Sequence, residues 1–292
     1  MPSDHDLTAD PLDCTEAPAG EVSTEGTSVG TPRDETAPSN EKPVDCGEEH
    51  QDNEGYWVES RQPLAALVFS MPLLIVYELG VLMLGTEVAG NGAAVWLHQT
   101  LDRLGFSYYF LPPILTVFCL LAWHYVTRRP WRLPRRSLMW QMAGECLVLS
   151  LCLRLILLLE TMVLQAVVPP VDATIGNAPV MAALGTAIGF LGAGIYEELL
   201  FRLILLTATI QGFRWIGLQD YRGLSCAVIL VSFLFACAHY VGPHGDTLHW
   251  FTFSFRFFAG VFFSVLFLCR GYGIAVGSHA GYNMLVGLTP SI

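Results

Sequence analysis

The side chains in this sequence best equipped for chemistry sit where polar groups are most costly. Tyr196-Glu197-Glu198-Leu199-Leu200-Phe201-Arg202 lies inside an apolar run from about Val180 to Ile210. A charge at the middle of a bilayer costs roughly 2.5–3.5 kcal/mol. Three such groups in six residues therefore require mutual pairing, a water-filled cavity, or both. Glu198 and Arg202 are four apart, share a helix face and can pair. Glu197 is rotated by about 100° from its neighbour and needs a partner from elsewhere. Two later apolar runs offer candidates: Phe235-Ala236-Cys237-Ala238-His239, and His279-Ala280-Gly281-Tyr282-Asn283. Singly, each group has a bland account. A Glu–Arg pair can be structural, a histidine near a helix end can sit in the interface, and an asparagine can bond a neighbouring helix for about 0.6 kcal/mol. Together they are harder to dismiss, because two carboxylates, two imidazoles, an amide and a guanidinium in one bundle are an expensive set of groups for lipid, and ionisable groups within a membrane are functional candidates by default.

The three segments read EExxxR, FxxxH and HxxxN. In that order they resemble the CAAX protease and bacteriocin-processing (CPBP) family of intramembrane proteases, also called the abortive-infection family. The resemblance covers about residues 180–288. Leu203 departs from it, standing where many members have glycine, at a position with no chemical role. The resemblance implies that Glu197 is the general base and that His239 helps to hold the attacking water. It implies that Glu198 and Arg202 orient the site as an ion pair, and that His279 and Asn283 stabilise the oxyanion. The implied activity is that of a membrane-embedded CAAX-type endopeptidase acting on a peptide or lipidated protein, such as a prenylated CAAX protein or a precursor peptide.

Metal dependence stays open at the level of sequence. Glu197, His239 and His279 could form a His₂Glu zinc site with an open position, while a water held directly by Glu and His needs no ion. The HExxH arrangement is absent. Two other classes also fit the residues. One is a non-proteolytic immunity or scaffold protein that keeps the constellation for binding. The other is a proton-coupled transporter, against which stands the lack of an inverted repeat or a pair of broken helices.

The rest of the chain must position these groups. Of its 292 residues 53% are hydrophobic and only 14% charged, against about 25% charged in soluble proteins, and the mean hydropathy is +0.47. Residues 1–63 hold 16 acidic and three basic side chains, the remainder 10 and 12. Residues 1–55 are therefore expected to be a disordered acidic tail, without the basic start and apolar core of a secretory signal, and with His5 and His50 in solvent. Residues 56–292 form the membrane domain, with the catalytic core at about 180–288. No basic patch suits nucleic acid. The cysteines are scattered without a CxxC pair and read as small buried hydrophobes.

The expected fold is all-α, a polytopic membrane bundle of about seven (six to eight) helices whose main partner is membrane lipid. Spans are expected at about Pro63–Leu84, Tyr108–Val126, Gln141–Val168, Val180–Ile210, Leu224–Val241, Phe253–Cys269 and Ile274–Leu288. Gly92–Leu104, with His98, reads as an amphipathic interfacial segment. Glu78 reads as a carboxylate near the surface or bonded within the bundle. Arg128–Arg136 holds five arginines and marks a cytoplasmic loop, which places the tail on the same side, in a bacterial cytoplasmic membrane. One difficulty follows from helix geometry. Glu197 and His239 lie roughly 20 Å from the inner ends of their spans, and His279 only about 8 Å from the start of its own. The three meet only if the last helix begins deeper, tilts or breaks.

Overall fold

The computed structural model describes residues 55–85, 110–165, 180–241 and 245–288, with isolated positions 99, 103 and 105. Residues 1–54 of the expected tail (1–55), most of Gly92–Leu104 with His98, and Gly242-Pro243-His244 lie outside the described residues. Among those described, all regular structure is helical. A short helical stretch at 55–60 precedes α1 (Pro63–Leu84). Then follow α2 (Leu111–Val126), α3 (Arg136–Gln165) and α4 (Val180–Glu197). A wide π-helical turn, Glu198–Leu206, joins α4 to α5 (Thr207–Trp215). Beyond it lie α6 (Tyr221–Ala238), α7 (Trp250–Arg270) and α8 (Tyr272–Leu288).

Prolines start α1 and α2, where their missing N–H would have no helical partner. Helices α1, α3, α6 and α7 are long and apolar enough to cross a membrane, and α2 is a shorter apolar helix. Large apolar side chains point outward along the bundle: Leu79, Leu82 and Met83 on α1, Ile114 and Phe118 on α2, Leu147, Leu155 and Leu159 on α3. This chain is a multi-pass membrane helix bundle.

Helix α8 packs against α1, α3, α4 and α7 and is the element the others surround. Close approach is possible because small residues face its neighbours. A Cβ on Gly194 of α4 would stand 2.8 Å from the Ala280 backbone nitrogen, so α4 and α8 meet almost backbone to backbone. Glu78 is bonded inside the bundle, where it accepts from the Tyr196 hydroxyl at 2.5 Å.

The depth difficulty is removed by where α8 begins. Helix α3 has 30 residues, about 45 Å, and overshoots a hydrocarbon core of about 30 Å. Its third turn carries Glu145, about 14 Å beyond Arg136. Arg270, the last residue of α7, donates from Nε and Nη2 to the two Glu145 oxygens at 2.6 Å each. Gly271 then turns the chain with φ +86°, its N–H bonding Phe267 O at 2.9 Å. So α8 starts beside Arg61, just ahead of α1, and level with the third turn of α3, not with its first residue. Ser150 Oγ donates to Ser278 O at 2.9 Å, which carries His279 to about 21 Å beyond Arg136. Tyr56 also donates to Glu145, and the Arg270 guanidinium stacks 3.8 Å from the Trp57 ring centre. Burial, with the Glu145 carboxylate second, pushes the Tyr56 hydroxyl far above the usual tyrosine range.

Candidate active site

The structure brings the three motifs together around one cavity of about 650 Å³. Glu197 from the end of α4, Phe235 and His239 from α6, and His279 and Asn283 from α8 all line it. Glu198 and Arg202 lie behind that wall, each fully buried. Glu197 and Glu198, turned to different faces as neighbours on any helix are, straddle the change from α- to π-helix, a local widening often found at functional sites.

Glu198 is the hub of the buried layer. Its Oε1 lies 3.2 Å from Arg202 Nη1 and 2.7 Å from His279 Nδ1. The Arg202 guanidinium stacks on Phe235, 4.2 Å from its ring centre, and Nη2 donates to Gly260 O at 3.4 Å. Phe263 stacks on the His279 ring at 4.5 Å between centres and 17° between planes. The guanidinium and the imidazole are thus held by two aromatic rings as well as by Glu198.

Glu197 faces the cavity. Its Oε2 lies 3.8 Å from His239 Nε2 and 3.8 Å from His279 Nε2. Both separations exceed a hydrogen bond and leave room for a small reacting group. The second nitrogen of each ring is already committed. His239 Nδ1 donates to Phe235 O at 2.8 Å, because a carbonyl oxygen only accepts. His279 Nδ1 likewise donates to the Glu198 carboxylate. In a neutral His239, Nε2 therefore presents a lone pair toward Glu197. If His279 is also to donate from Nε2, its ring must be the imidazolium. Two carboxylates then face one guanidinium and one imidazolium, and the charges of the site balance.

The donor set does not fit a metal ion as placed. Two ligands of one tetrahedral zinc, each about 2.0–2.1 Å from it, stand roughly 3.3 Å apart, and both imidazole nitrogens are farther than that from Glu197 Oε2. Among the described residues no three His, Cys, Asp or Glu side chains form a group able to hold a metal ion. Glu197, His239 and His279, weighed as a zinc set from the sequence, stand about 0.5 Å wider than that spacing, while the Nδ1 bonds of both rings, to Glu198 and to Phe235 O, are of the kind that imidazoles ligating through Nε2 keep.

Several parts of this site carry no sequence signal. Phe263 lies outside all three motifs, and the π-turn leaves no mark in residue types. The double use of His279 was also hidden, since sequence spacing pairs Glu198 with Arg202 alone. Phe235 was visible as the first residue of FxxxH, though its contact with Arg202 was not.

The site is thus a set of carboxylates and imidazoles on the wall of a cavity within a membrane helix bundle. The comparison with known families agrees: the family described as type II CAAX prenyl endopeptidase Rce1-like matches residues 179–285. Over that segment, a little more than a third of the chain, the protein is similar to the CAAX protease family whose motifs it resembles. No curated protein and no solved structure matches the chain.

Proposed function

We propose that this protein is an intramembrane endopeptidase in which Glu197 activates a water for attack on a peptide carbonyl. The observation that carries the proposal is the placement of Glu197 Oε2 at 3.8 Å from both His239 Nε2 and His279 Nε2 on the wall of one cavity. The water donates one hydrogen to Glu197 and the other to His239 Nε2, which leaves an oxygen lone pair for the substrate carbon. Glu197 takes the proton as the C–O bond forms. The tetrahedral oxyanion accepts from the His279 imidazolium and from the Asn283 side-chain amide, one helical turn along α8. Such donors are worth about 10²–10³ in rate each. Glu197 then passes its proton to the leaving nitrogen as the C–N bond breaks. Glu198 and Arg202 touch no reacting atom in this scheme. They fix the His279 ring and balance its charge.

The test is cleavage of a membrane-anchored polypeptide by purified protein in liposomes, with Glu197→Gln beside the native chain. Native cleavage, lost in a variant that keeps its thermal stability and unaffected by prior removal of metal with a chelator, is the expected result. Full cleavage by Glu197→Gln would overturn the assignment of the base.

A further inference from the structure

The lining of the cavity comes from one half of the bundle. It is drawn from the late part of α3 (Leu157), the first half of the continuous span α4–π-turn–α5 (Gly185 to Glu197), the end of α6 (Phe235, His239), the first two-thirds of α7 (Phe251 to Phe263) and the later half of α8 (His279 to Val286). Each of these stretches lies away from the bundle end that carries Arg128, Arg129, Arg132, Arg135 and Arg136 between α2 and α3, and Arg214 and Arg222 between α5 and α6. From the floor at Glu197 to Gly185 the cavity runs twelve residues along α4, and from Phe263 to Phe251 another twelve along α7, about 18 Å in both. Toward the arginine end the bundle is closed. Arg202, Leu199 and Leu206, Val231 on α6, and Tyr272, Ile274, Ala275 and Val276 on α8 are all buried at 0% exposure.

Short arginine-rich loops stay on the cytoplasmic side of a membrane. In the segments joining the opposite helix ends (86–110, 166–179 and 239–249), Arg103 is the one Lys or Arg. We propose that the site is served from the non-cytoplasmic face, and that its substrates are membrane-anchored polypeptides cut at the non-cytoplasmic end of their anchor. This rests on the endopeptidase reading above and adds the side of the membrane and the class of substrate. The depth sets a further requirement. To reach Glu197 from the rim the substrate must supply about five residues of extended chain, so the cut falls in an unwound stretch and not inside a continuous helix. The aromatic wall of Phe190, Phe251 and Phe255 accepts apolar side chains flanking that bond.

Two measurements on the full chain in cells test this. The first is labelling with a membrane-impermeant maleimide, using the native chain as background for its own cysteines. Thr252→Cys at the cavity, and Thr247→Cys in the adjoining rim segment should Thr252→Cys fail to accumulate, are expected to react in intact cells. Ser137→Cys at the start of α3 is expected to react only after permeabilisation. The opposite pattern, or labelling of both positions from one side, overturns the proposal whether or not the protein cleaves anything. The second uses single-span reporters with a flexible Gly/Ala-rich stretch at either end of the anchor. Cleavage at the outer stretch alone, lost in Glu197→Gln, supports the proposal. Cleavage at the inner stretch overturns it and leaves the endopeptidase reading standing. Cleavage of neither, with outward labelling intact, counts against the endopeptidase reading and the substrate class while the sidedness stands.

Discussion

His279 donates to Glu198, not to Glu197: the Nδ1–Oε1 distance is 2.7 Å, and its other nitrogen faces Glu197 at 3.8 Å. One imidazole therefore spans two adjacent carboxylates with different surroundings. Glu198 lies in a sealed layer with Arg202, whereas Glu197 lines the cavity. The neighbours in sequence should fail in different ways when altered.

Glu198→Gln removes the carboxylate that pairs with the fully buried Arg202 guanidinium. Breaking a buried ion pair from one side costs about 3–5 kcal/mol. The variant should show a markedly lower melting temperature in detergent together with lost cleavage, while Glu197→Gln loses cleavage at near-native melting temperature. Equal thermal stability in the two variants would contradict the sealed-layer assignment.

The histidines should divide along the same line. His239 is bonded to a carbonyl on its own helix and its side chain is 26% exposed. His239→Ala should reduce the rate by about 10²-fold or more with little change in stability. His279→Ala removes the donor from Glu198 and the ring stacked on Phe263, so it should lower both rate and melting temperature. Rates and melting curves on the same preparations separate the two.

The gathering of these groups was legible in the sequence because lipid forces it. An ionised side chain in a span has to find a partner or a cavity, so three polar motifs on three apolar runs had to converge. Their common depth was not legible. It depends on Arg270 meeting Glu145, 125 residues apart in the chain, and a hydropathy boundary cannot show that α8 begins level with the third turn of α3. The π-turn after Glu197 was illegible for a related reason. An α-helix and its widened form share the same residue preferences, and packing around Arg202 decides between them.

The meeting of α4 and α8 gives a test with a built-in control. Gly194 is three residues before Glu197, and Ala280 is next to His279. A methyl group on Gly194 would meet Ala280 Cβ and backbone N at 2.8 Å, contacts that no side-chain rotation relieves. Gly194→Ala should push the helices apart beside the reacting groups. Overpacking of this kind costs about 1–3 kcal/mol, and a displacement of about 1 Å can cost 10²-fold in rate. Gly212→Ala on α5 meets nothing within 4 Å and should be neutral or stabilising by up to about 1 kcal/mol, the helix preference of alanine over glycine. Cleavage assays and melting curves on both variants read the difference, and equal behaviour would show that the α4–α8 approach does not set the site.

The Tyr56–Glu145–Arg270 clamp predicts a pH dependence of stability in the alkaline range. An unfolded tyrosine ionises near pH 10, and burial beside Glu145 raises the folded-state value of Tyr56 above that. A group whose pKa is raised on folding contributes fully below its unfolded pKa, and the contribution fades as pH rises from there through the folded value. The native chain should therefore lose stability from about pH 10 upward more steeply than Tyr56→Phe, which has no hydroxyl to ionise. The remaining tyrosines are common to both proteins and cancel in the difference. Below pH 9 the order is set by the hydrogen bond itself, and Tyr56→Phe should melt lower by the loss of one bond to a charged group, about 1.5–3 kcal/mol at most and less at this half-exposed position. Parallel melting curves from pH 7 to 11 would show that the hydroxyl does not hold α8 at its depth, and that the Glu145–Arg270 pair does so alone.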